Sequence, residues 1–296
     1  LLNQRLDTPY IKYNGKFEKA SWEEVYKIIK SKFNNSTKDK ISGFVGDLSN
    51  MEAAYIFKEL FDRTFNSKNY ESRSSSRFID ISERQNYIFN SKINGIEDSD
   101  FIFLIGANPR FESTILNARI RKSYVNNKTK VISLNEVGNL TYPYQSLDGQ
   151  TKTLVDIFTG ENKVSNDVLN SKKPLIVLGE SLFKSQSANY LFNLIKKFLK
   201  KNNKISKEWN PINILSVDAS TVGNLDLNII NNQKDMFNDL NNHKFEIVYL
   251  LGQDNLNFQK KDEFVIYQGS HGDKGAEIAD IILPGATYTE QNGYYT

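Results

Sequence analysis

The chain has 296 residues, of which 39% are hydrophobic and 25% are charged, a composition typical of a folded protein with one large or two medium domains. Its 38 basic and 35 acidic residues give a net charge of +3, which is too balanced to indicate a nucleic-acid or anionic-membrane binder. The absence of cysteine and the presence of only two histidines exclude disulfides, iron–sulfur ligation and thiolate catalysis, and make a histidine-built metal centre a poor expectation.

Short apolar runs recur along the chain and alternate with amphipathic helical segments. The runs are continuous in Val, Ile, Leu and Phe without polar alternation, a pattern typical of strands buried on both faces. Strands separated by helices predict a parallel sheet. We therefore expect an α/β fold with doubly wound, mostly parallel sheets in two lobes. The predicted strands are residues 41–47, 101–108, 130–135, 174–180, 212–218, 245–253 and 264–269, followed by the apolar segment IADIILPG.

Three helix starts are marked in the sequence. Ser21 and Glu24 have the spacing of a capping box, in which each side chain bonds the backbone N–H of the other residue. Asn50 and Ser187 precede two further amphipathic segments and are expected as N-caps.

The expected domain organisation is a lead-in segment and two lobes. The lead-in covers residues 1–36, the first lobe 37–145, and the second lobe with a connector 146–296. Because the chain begins at Leu1 and stops in a polar turn, we expect both ends to be cuts through a longer protein.

Four predicted strands end in glycine, at Gly46, Gly106, Gly179 and Gly252. Ligands of open α/β sheets bind at the carboxyl edge of the strands, which is where these glycines fall. Left-handed turns need glycine whether or not a ligand is bound. The four together indicate a nucleotide-binding ancestry and leave present-day binding open.

The stretch GSHGDKGAEIADIILPGATYTEQNGYY is rich in glycine, but its Gly-x-x-Gly-x-x-Gly spacing fits neither a dinucleotide fingerprint nor a phosphate-binding loop of the Walker type. His271 beside Asp273 would suit a general base with an orienting carboxylate, and equally a solvated loop. Glu277, Asp280 and Glu290 would make a carboxylate cluster only if the fold brought them together.

Two polar segments outside this stretch fit more than one role. Arg119, Arg121 and Lys122 follow a predicted strand on a helix, and they fit a phosphate site, an acidic partner or a solvated helix face. The run Ser72–Ser76 with Arg73 is expected to be a surface loop, with a ligand serine as the alternative. No catalytic, cofactor-binding or metal-binding residue is assigned from these patterns.

Four blocks in order resemble one family. The blocks are GIEDSDFIFLIGANPRFESTILNARIRKSY, LTYPYQSLDG, KKPLIVLGESLF and VIYQGSHGDKGAEIADIILPGATYTEQNGYY. Together with the opening RLDTPYIKYNGKFEKASWEEV they are similar to the C-terminal, molybdopterin-oxidoreductase-like domain of the large iron–sulfur subunit of respiratory complex I, the NADH:ubiquinone oxidoreductase.

The resemblance implies a structural domain in the hydrophilic arm of that complex, itself non-catalytic and without a molybdenum cofactor. It implies that 2Fe–2S and 4Fe–4S clusters lie in the cysteine-bearing N-terminal part or in a separate chain. The implied partners are other hydrophilic-arm subunits, with no nucleic acid and no direct membrane span. The implied location is the matrix side of the mitochondrial inner membrane, or the cytoplasmic side in a bacterium.

Two alternatives remain open. In the first, the chain is an active molybdopterin-dependent oxidoreductase, in which Ser74 to Ser76 face the metal in place of the usual cysteine. In the second, it is a free-standing nucleotide-binding α/β protein. The resemblance itself implies that the glycine-ended strands are relics of pterin-nucleotide binding.

Overall fold

The computed structural model describes residues 4–296 and contains twelve strands and twelve α-helices within that range. The strands are β1 (Tyr10–Tyr13), β2 (Lys16–Lys19), β3 (Ile41–Val45), β4 (Tyr70–Glu71), β5 (Phe101–Ile105), β6 (Lys130–Ser133), β7 (Gln145–Ser146), β8 (Pro174–Leu178), β9 (Ile212–Ile214), β10 (Ile247–Leu251), β11 (Phe264–Gly269) and β12 (Ile281–Pro284). The seven predicted strands and the apolar IADIILPG segment are confirmed, with the ends shortened by a few residues.

The helices lie mainly between consecutive parallel strands. They are α1 (Trp22–Asn34), α2 (Met51–Glu59), α3 (Lys92–Gly95), α4 (Pro109–Glu112), α5 (Thr114–Asn127), α6 (Thr151–Thr159), α7 (Lys163–Asn170), α8 (Glu180–Phe183), α9 (Ala188–Lys201), α10 (Thr221–Asp226), α11 (Met236–Asn241) and α12 (Lys274–Ile278). A π-helical turn, Leu60–Phe65, extends α2. None of the helices between residues 4 and 296 has both the length and the apolar character that crossing a membrane requires.

The chain folds into two compact units. Unit 1 comprises the described residues of Leu1–Ser76 together with Asp218–Thr296, and unit 2 is Arg77–Val217. Unit 1 contains a seven-stranded sheet in the order β2-β1-β12-β11-β10-β3-β4. Its strands from β12 to β4 are parallel, while β1 pairs antiparallel with both β2 and β12.

Unit 2 contains a five-stranded, all-parallel sheet in the order β7-β6-β5-β8-β9. Alternate residues of its central strands enter opposite cores: Phe103 and Ile105 pack on one face of the sheet, and Ile102 and Leu104 on the other. In unit 1, the neighbouring residues Ile247 and Val248 of β10 likewise pack on opposite faces of the sheet. Both sheets are therefore covered on both faces, as expected for a doubly wound fold.

The division into units differs from the predicted boundary near residue 145. The prediction separated β5 from β8, yet these strands pair directly along residues 101–105 and 174–178. It also joined β3 to β5, which belong to different sheets. The boundary was misplaced because unit 1 is discontinuous: β3 pairs with β10, roughly two hundred residues later in the sequence. The lead-in segment is likewise not separate, because β1 and β2 extend the sheet of unit 1.

Two of the three predicted helix caps are formed. The Ser21 and Glu24 capping box is complete, with the Ser21 N–H 2.8 Å from Glu24 Oε2. Asn50 Oδ1 accepts the N–H of Ala53 at 2.8 Å. Ser187 precedes α9 as predicted, but its side chain makes no capping hydrogen bond.

Candidate functional site

Each sheet has one point at which the chain reverses its direction of travel across the sheet. In unit 2 the chain proceeds from β5 through β6 to β7 on one side, and from β8 to β9 on the other. In unit 1 it proceeds from β10 through β11 to β12, and from β3 to β4. The switch points therefore lie between β5 and β8 and between β10 and β3. In sheets of this kind, ligands bind in the crevice outside the carboxyl ends of such strand pairs.

The four strand-ending glycines occupy these two switch points in pairs. In unit 1, a side chain on Gly46 would place its Cβ 1.7 Å from the carbonyl oxygen of Gly252. Gly252 itself has φ +58°, in the region that favours glycine. The Gly46 N–H donates to the carbonyl of Leu251 at 2.8 Å, which holds the two turns against each other.

Unit 2 repeats this arrangement. A Cβ on Gly179 would lie 2.1 Å from the carbonyl oxygen of Gly106, which has φ +63°. The Gly179 N–H donates to the carbonyl of Ile105 at 2.9 Å, and the Ser181 hydroxyl donates to the Gly106 carbonyl at 2.8 Å. In each unit one glycine is required by its φ angle and the other by the backbone beside it. The glycines are therefore explained without a ligand.

The N-terminus of α2, which follows the unit 1 switch point, is occupied by other parts of the same chain. The N–H of Met51 donates to the carbonyl of Tyr294 at 2.9 Å, and the Tyr294 N–H donates to Glu52 Oε2 at 3.0 Å. Asn50 caps Ala53 and also donates to Gln291 Oε1 at 3.0 Å. Phosphate groups commonly bind to free N–H groups at such a helix start. Here two of the first three N–H groups are already bonded within unit 1.

A cleft of about 410 Å³ lies at the carboxyl edge of the unit 1 sheet. Its walls are formed by the carboxyl ends of β10 and β11 and by the turns that follow β3, β10, β11 and β12, within segments 48–53, 251–254, 267–273 and 285–291. Its charged side chains are carboxylates, including Asp254 and Asp273, and within residues 4–296 no Lys or Arg contributes to its lining. The cleft therefore offers acidic and neutral hydrogen-bonding groups.

A buried cluster explains two of the glycines of the Gly-x-x-Gly-x-x-Gly stretch. The ring of Tyr267 packs so closely on Gly269 and Gly275 that a Cβ at either position would approach it to 2.4–2.5 Å. Asp254 accepts the Tyr267 hydroxyl and the Gly275 N–H, each at 2.9 Å. Gly272, in contrast, has only ordinary contacts around the position of a Cβ.

The same cluster contains a carboxyl group with a raised pKa. Burial raises the pKa of the Asp254 carboxyl, against the effect of the hydrogen bonds from Gly275 and Tyr267. Burial, together with the neighbouring charge of Asp254, also raises the pKa of the Tyr267 hydroxyl, which therefore remains a donor. The arrangement ties the turn after β10 to β11 and α12, and no local sequence pattern marks Asp254.

The predicted acid–base and carboxylate groups do not assemble into a metal site, and Asp280, which immediately precedes β12, lies at the edge of the sheet opposite the cleft. His271 lines the cleft with its Nδ1 3.0 Å from the hydroxyl of its neighbour Ser270. Asp280 pairs with Lys260 at 2.5 Å, and Glu290 pairs with Arg5. In the described part of the chain, no three His, Asp or Glu side chains come together in a way that would hold a metal ion.

Glu277 is exposed, and its backbone carbonyl accepts a hydrogen bond from Lys12 Nζ at 2.7 Å. Arg5 joins the N-terminal segment to the turns after β11 and β12, because its guanidinium also donates to the carbonyls of Ser270 and Gly285, at 2.9 and 3.0 Å. The contacts of Arg5 cross more than 260 residues of sequence and could not be found from local patterns.

The basic helix does not form a phosphate site at the carboxyl edge. Arg119 and Lys122 pair with Glu97, the latter at 2.7 Å, and Glu97 lies just before β5 and hence at the opposite edge of the sheet. Hydrogen bonds from Lys122 and Arg119 lower the pKa of Glu97. Arg121 is exposed on the same helix.

The serine loop follows β4 at the end of the first segment of unit 1. Ser75 and Ser76 are exposed and Ser74 is half-buried. Next to them, Arg73 is bound to the fully buried carboxylate of Glu71 at 2.6 Å. The positive charge of Arg73 beside this loop is therefore neutralised by Glu71 within unit 1. The described contacts of the loop do not favour a ligand serine.

Comparison with known proteins identifies the family. Residues 5–296 match the molybdopterin oxidoreductase family. The chain belongs to the molybdopterin oxidoreductase family. Among solved structures, acetylene hydratase from Pelobacter acetylenicus superimposes with a TM-score of 0.52 and 12% identity, covering 98% of this chain and 56% of that protein. The expected α/β, molybdopterin-oxidoreductase-like fold is thereby confirmed.

Curated relatives of this family member are subunits of NADH–quinone oxidoreductases. The chain is 36% identical to the NADH-ubiquinone oxidoreductase 75 kDa subunit of Reclinomonas americana, over all of this chain and 45% of the relative. It is 38% identical to an NADH-quinone oxidoreductase subunit of Rickettsia bellii, over 99% of this chain and 42% of the relative. The 78 kDa mitochondrial subunit of Candida albicans is 37% identical over all of this chain and 41% of its own length. The chain thus spans less than half the length of these relatives, and the resemblance seen in its sequence blocks is confirmed.

The residues of unit 1 do not fit a pterin dinucleotide at the cleft. The phosphates of such a cofactor need cations or free N–H groups, and the lining supplies carboxylates instead. The N–H groups of Met51 and Ala53 at the α2 start are already bonded. A metal held there would also lack a thiolate ligand, because the sequence contains no cysteine.

Proposed function

We propose that this chain is the structural, cofactor-free part of the large iron–sulfur subunit of an NADH:quinone oxidoreductase. The observation that carries the proposal is similarity along 99–100% of the chain to subunits of such enzymes, in mitochondria and in bacteria. The chain corresponds to less than half of each relative. Its role is therefore proposed for a part of a larger subunit.

The geometry of unit 1 supports the cofactor-free half of the proposal. At the switch point the turns after β3 and β10 are held together by the hydrogen bond from the Gly46 N–H to the Leu251 carbonyl, and the helix start that would receive a phosphate is bonded to Tyr294 and capped by Asn50. The fold of the family is thus retained, while the groups that would hold the dinucleotide are directed at the chain itself.

In this role the chain carries no electrons through ligands of its own. We propose that the 2Fe–2S and 4Fe–4S clusters are held by the remainder of the subunit or by another chain. The two units then provide packing surfaces for that cluster-bearing part and for other subunits of the hydrophilic arm. We place the chain in the peripheral arm at the inner mitochondrial membrane, on the matrix side, or on the cytoplasmic side in a bacterium.

The proposal is tested by isolating the tagged full-length protein from its native membranes under mild detergent. We expect the other subunits of an NADH:quinone oxidoreductase to co-purify in equal amounts, with iron and with NADH:quinone activity. Acid extraction followed by oxidation should release no fluorescent pterin. Recovery of the chain alone, or with an equimolar pterin, would contradict the proposal.

A further inference from the structure

One helix of unit 2 is apolar on its outward side as well as on its inward side. Phe111 is 81% exposed, Ile115 66% and Val125 53%. Ala118 and Lys122 are also exposed and lie between them along α5. We call these five residues the α5 face. Isolated exposed apolar residues are ordinary, whereas several large ones grouped on one side of a helix mark an interaction surface.

The spacing of these residues places them in one row along the helix. Within α5, positions 115, 118, 122 and 125 follow at intervals of three, four and three residues, which is the spacing of a helix–helix seam. Phe111 lies in α4, immediately before α5. The opposite side of α5 is already used, because Leu116 and Ile120 are buried against the sheet.

The charge of α5 indicates the chemistry of a partner. The helix contains three basic residues and no acidic one. Glu97, which belongs to the neighbouring turn, pairs with Arg119 and Lys122. Arg121 is exposed beside the α5 face, so the face has a basic border.

The other long helix of unit 2, α9, provides a comparison because its outward side is polar. The outward side of α9 presents Asn193, Lys197, Lys200 and Lys201, and its single exposed large apolar residue is Tyr190. The α5 face differs in having apolar residues at three of its five positions with more than half of their surface exposed.

We propose that the α5 face is a docking surface for an acidic, amphipathic helix of another polypeptide. The apolar row would pack into a matching row of that helix, and Arg121 and Lys122 would meet its carboxylates. This surface is distinct from the cleft of unit 1 and goes beyond the proposed function, which does not specify where any partner binds.

The first experiment is zero-length cross-linking with a carbodiimide in permeabilised cells that express the full-length protein. Arg121→Lys keeps the charge and adds an amine that the reagent can join to a carboxylate. The pair Lys122 and Glu97, with Nζ and Oε2 2.7 Å apart, provides an internal standard for the reaction. We expect mass spectrometry to find position 121 or 122 joined to an Asp or Glu within a helical, amphipathic segment of another polypeptide.

The second experiment measures binding by charge reversal. Arg121→Glu should weaken retention of the cross-linked partner about tenfold or more, because it opposes like charges across the contact. Lys197→Glu, the same change on the exposed side of α9, is the matched control and should leave retention unchanged. Replacing the identified acid of the partner by Lys should restore binding to Arg121→Glu.

Recovery of the Lys122–Glu97 cross-link without any cross-link from position 121 or 122 to another polypeptide would overturn the proposal, as would equal retention in Arg121→Glu and Lys197→Glu. The identity of the captured polypeptide tests a different point. A carboxylate in an amphipathic helix of another polypeptide, whose replacement by Lys restores binding to Arg121→Glu, supports the docking surface. If that polypeptide is not a subunit of an NADH:quinone oxidoreductase, the proposed function fails and the docking surface does not.

Discussion

Single residues at the ends of the parallel strands determine how closely the turns can approach. Gly46 and Gly179 have no room for a Cβ because a carbonyl oxygen lies within 2.1 Å of its position. Their partners Gly252 and Gly106 adopt positive φ values, which other residues rarely do. At these four positions the glycine therefore reports contact between neighbouring turns of the backbone.

Gly46→Ala is expected to lower the free energy of unfolding by about 2–4 kcal/mol, because the backbone around Gly252 must move to admit the methyl group. Gly272→Ala is the matched control, since its Cβ would meet Gln4 only at 3.7 Å, and it should change stability by less than about 0.5 kcal/mol. Urea unfolding of the purified protein measures both. Equal effects of the two substitutions would contradict the account of the glycine pairs.

His271→Ala is expected to retain most of the NADH:quinone activity of the assembled enzyme. The ring of His271 contacts the adjacent Ser270 hydroxyl and lines the cleft of unit 1. Because we propose that this cleft no longer holds a cofactor, we expect the ring to have no catalytic role. The measurement is turnover in membranes, normalised to assembled enzyme. Loss of turnover at a normal level of assembly would refute this assignment.

The start of α2 is stabilised by a side-chain cap and by a contact with a distant segment of the chain. Asn50 serves both purposes, because it caps α2 and binds Gln291 of the segment that covers the start of that helix. The buried position of Asn50 makes these bonds difficult for water to replace.

Asn50→Ala should therefore destabilise the protein by about 1 kcal/mol or more through the lost cap. Ser187→Ala provides the control, since Ser187 precedes α9 without a capping hydrogen bond, and its effect should be close to zero. Thermal unfolding followed by circular dichroism compares the two. A larger loss for Ser187→Ala than for Asn50→Ala would show that the caps are assigned incorrectly.

Asp100 joins the start of β5 to the start of β8. Burial opposes its ionisation, but the hydrogen bonds from Ser171, Lys172 and Lys173 outweigh that effect and lower its pKa. The N–H groups of Lys172 and Lys173 lie 2.8 and 3.0 Å from its carboxylate oxygens. Folding therefore favours the ionised form, and the resulting stability is present above the unfolded-state pKa and lost as the pH falls through the folded-state pKa.

Asp100→Asn should cost about 1 kcal/mol at neutral pH, a value reduced for the exposure of this side chain to solvent. The difference from the natural protein should shrink as the pH falls below about 4. Asp98→Asn, an exposed neighbour that meets only Lys173 at 3.4 Å, is the control. A difference that stays constant between neutral and acidic pH would contradict the assigned role of Asp100.

The sequence allowed the central strands to be predicted because each is a short, continuous apolar run buried on both faces. It did not reveal β1 and β2, in which charged residues such as Lys12, Lys16 and Glu18 mask the strand pattern at the sheet edge. The unit boundary was also beyond local patterns, because β3 and β10 pair across most of the chain. The Asp254–Tyr267 contact of the cleft joins the turn after β10 to the paired strand β11, and no sequence motif marks either residue.

The two sheets have the same kind of switch point between parallel strands, but the strands on its two sides occur in a different order along the chain. In unit 2 the strands on both sides of the switch point follow one another in sequence. In unit 1 the strands β3 and β4 come from the first segment and β10 to β12 from the last. In the sequence, unit 2 is thus inserted into unit 1. The family fold is preserved in both, while the turns and the helix start of unit 1 are bonded to the chain itself.

We propose that this member of the molybdopterin oxidoreductase family works without the metal cofactor. Elemental analysis of the native assembly, isolated through this chain and quantified by its amount, tests it most directly. We predict iron in excess over the chain and no more than trace molybdenum or tungsten. Molybdenum or tungsten near one atom per chain would contradict the claim, and would make the loop from Ser74 to Ser76 the first place to search for a ligand.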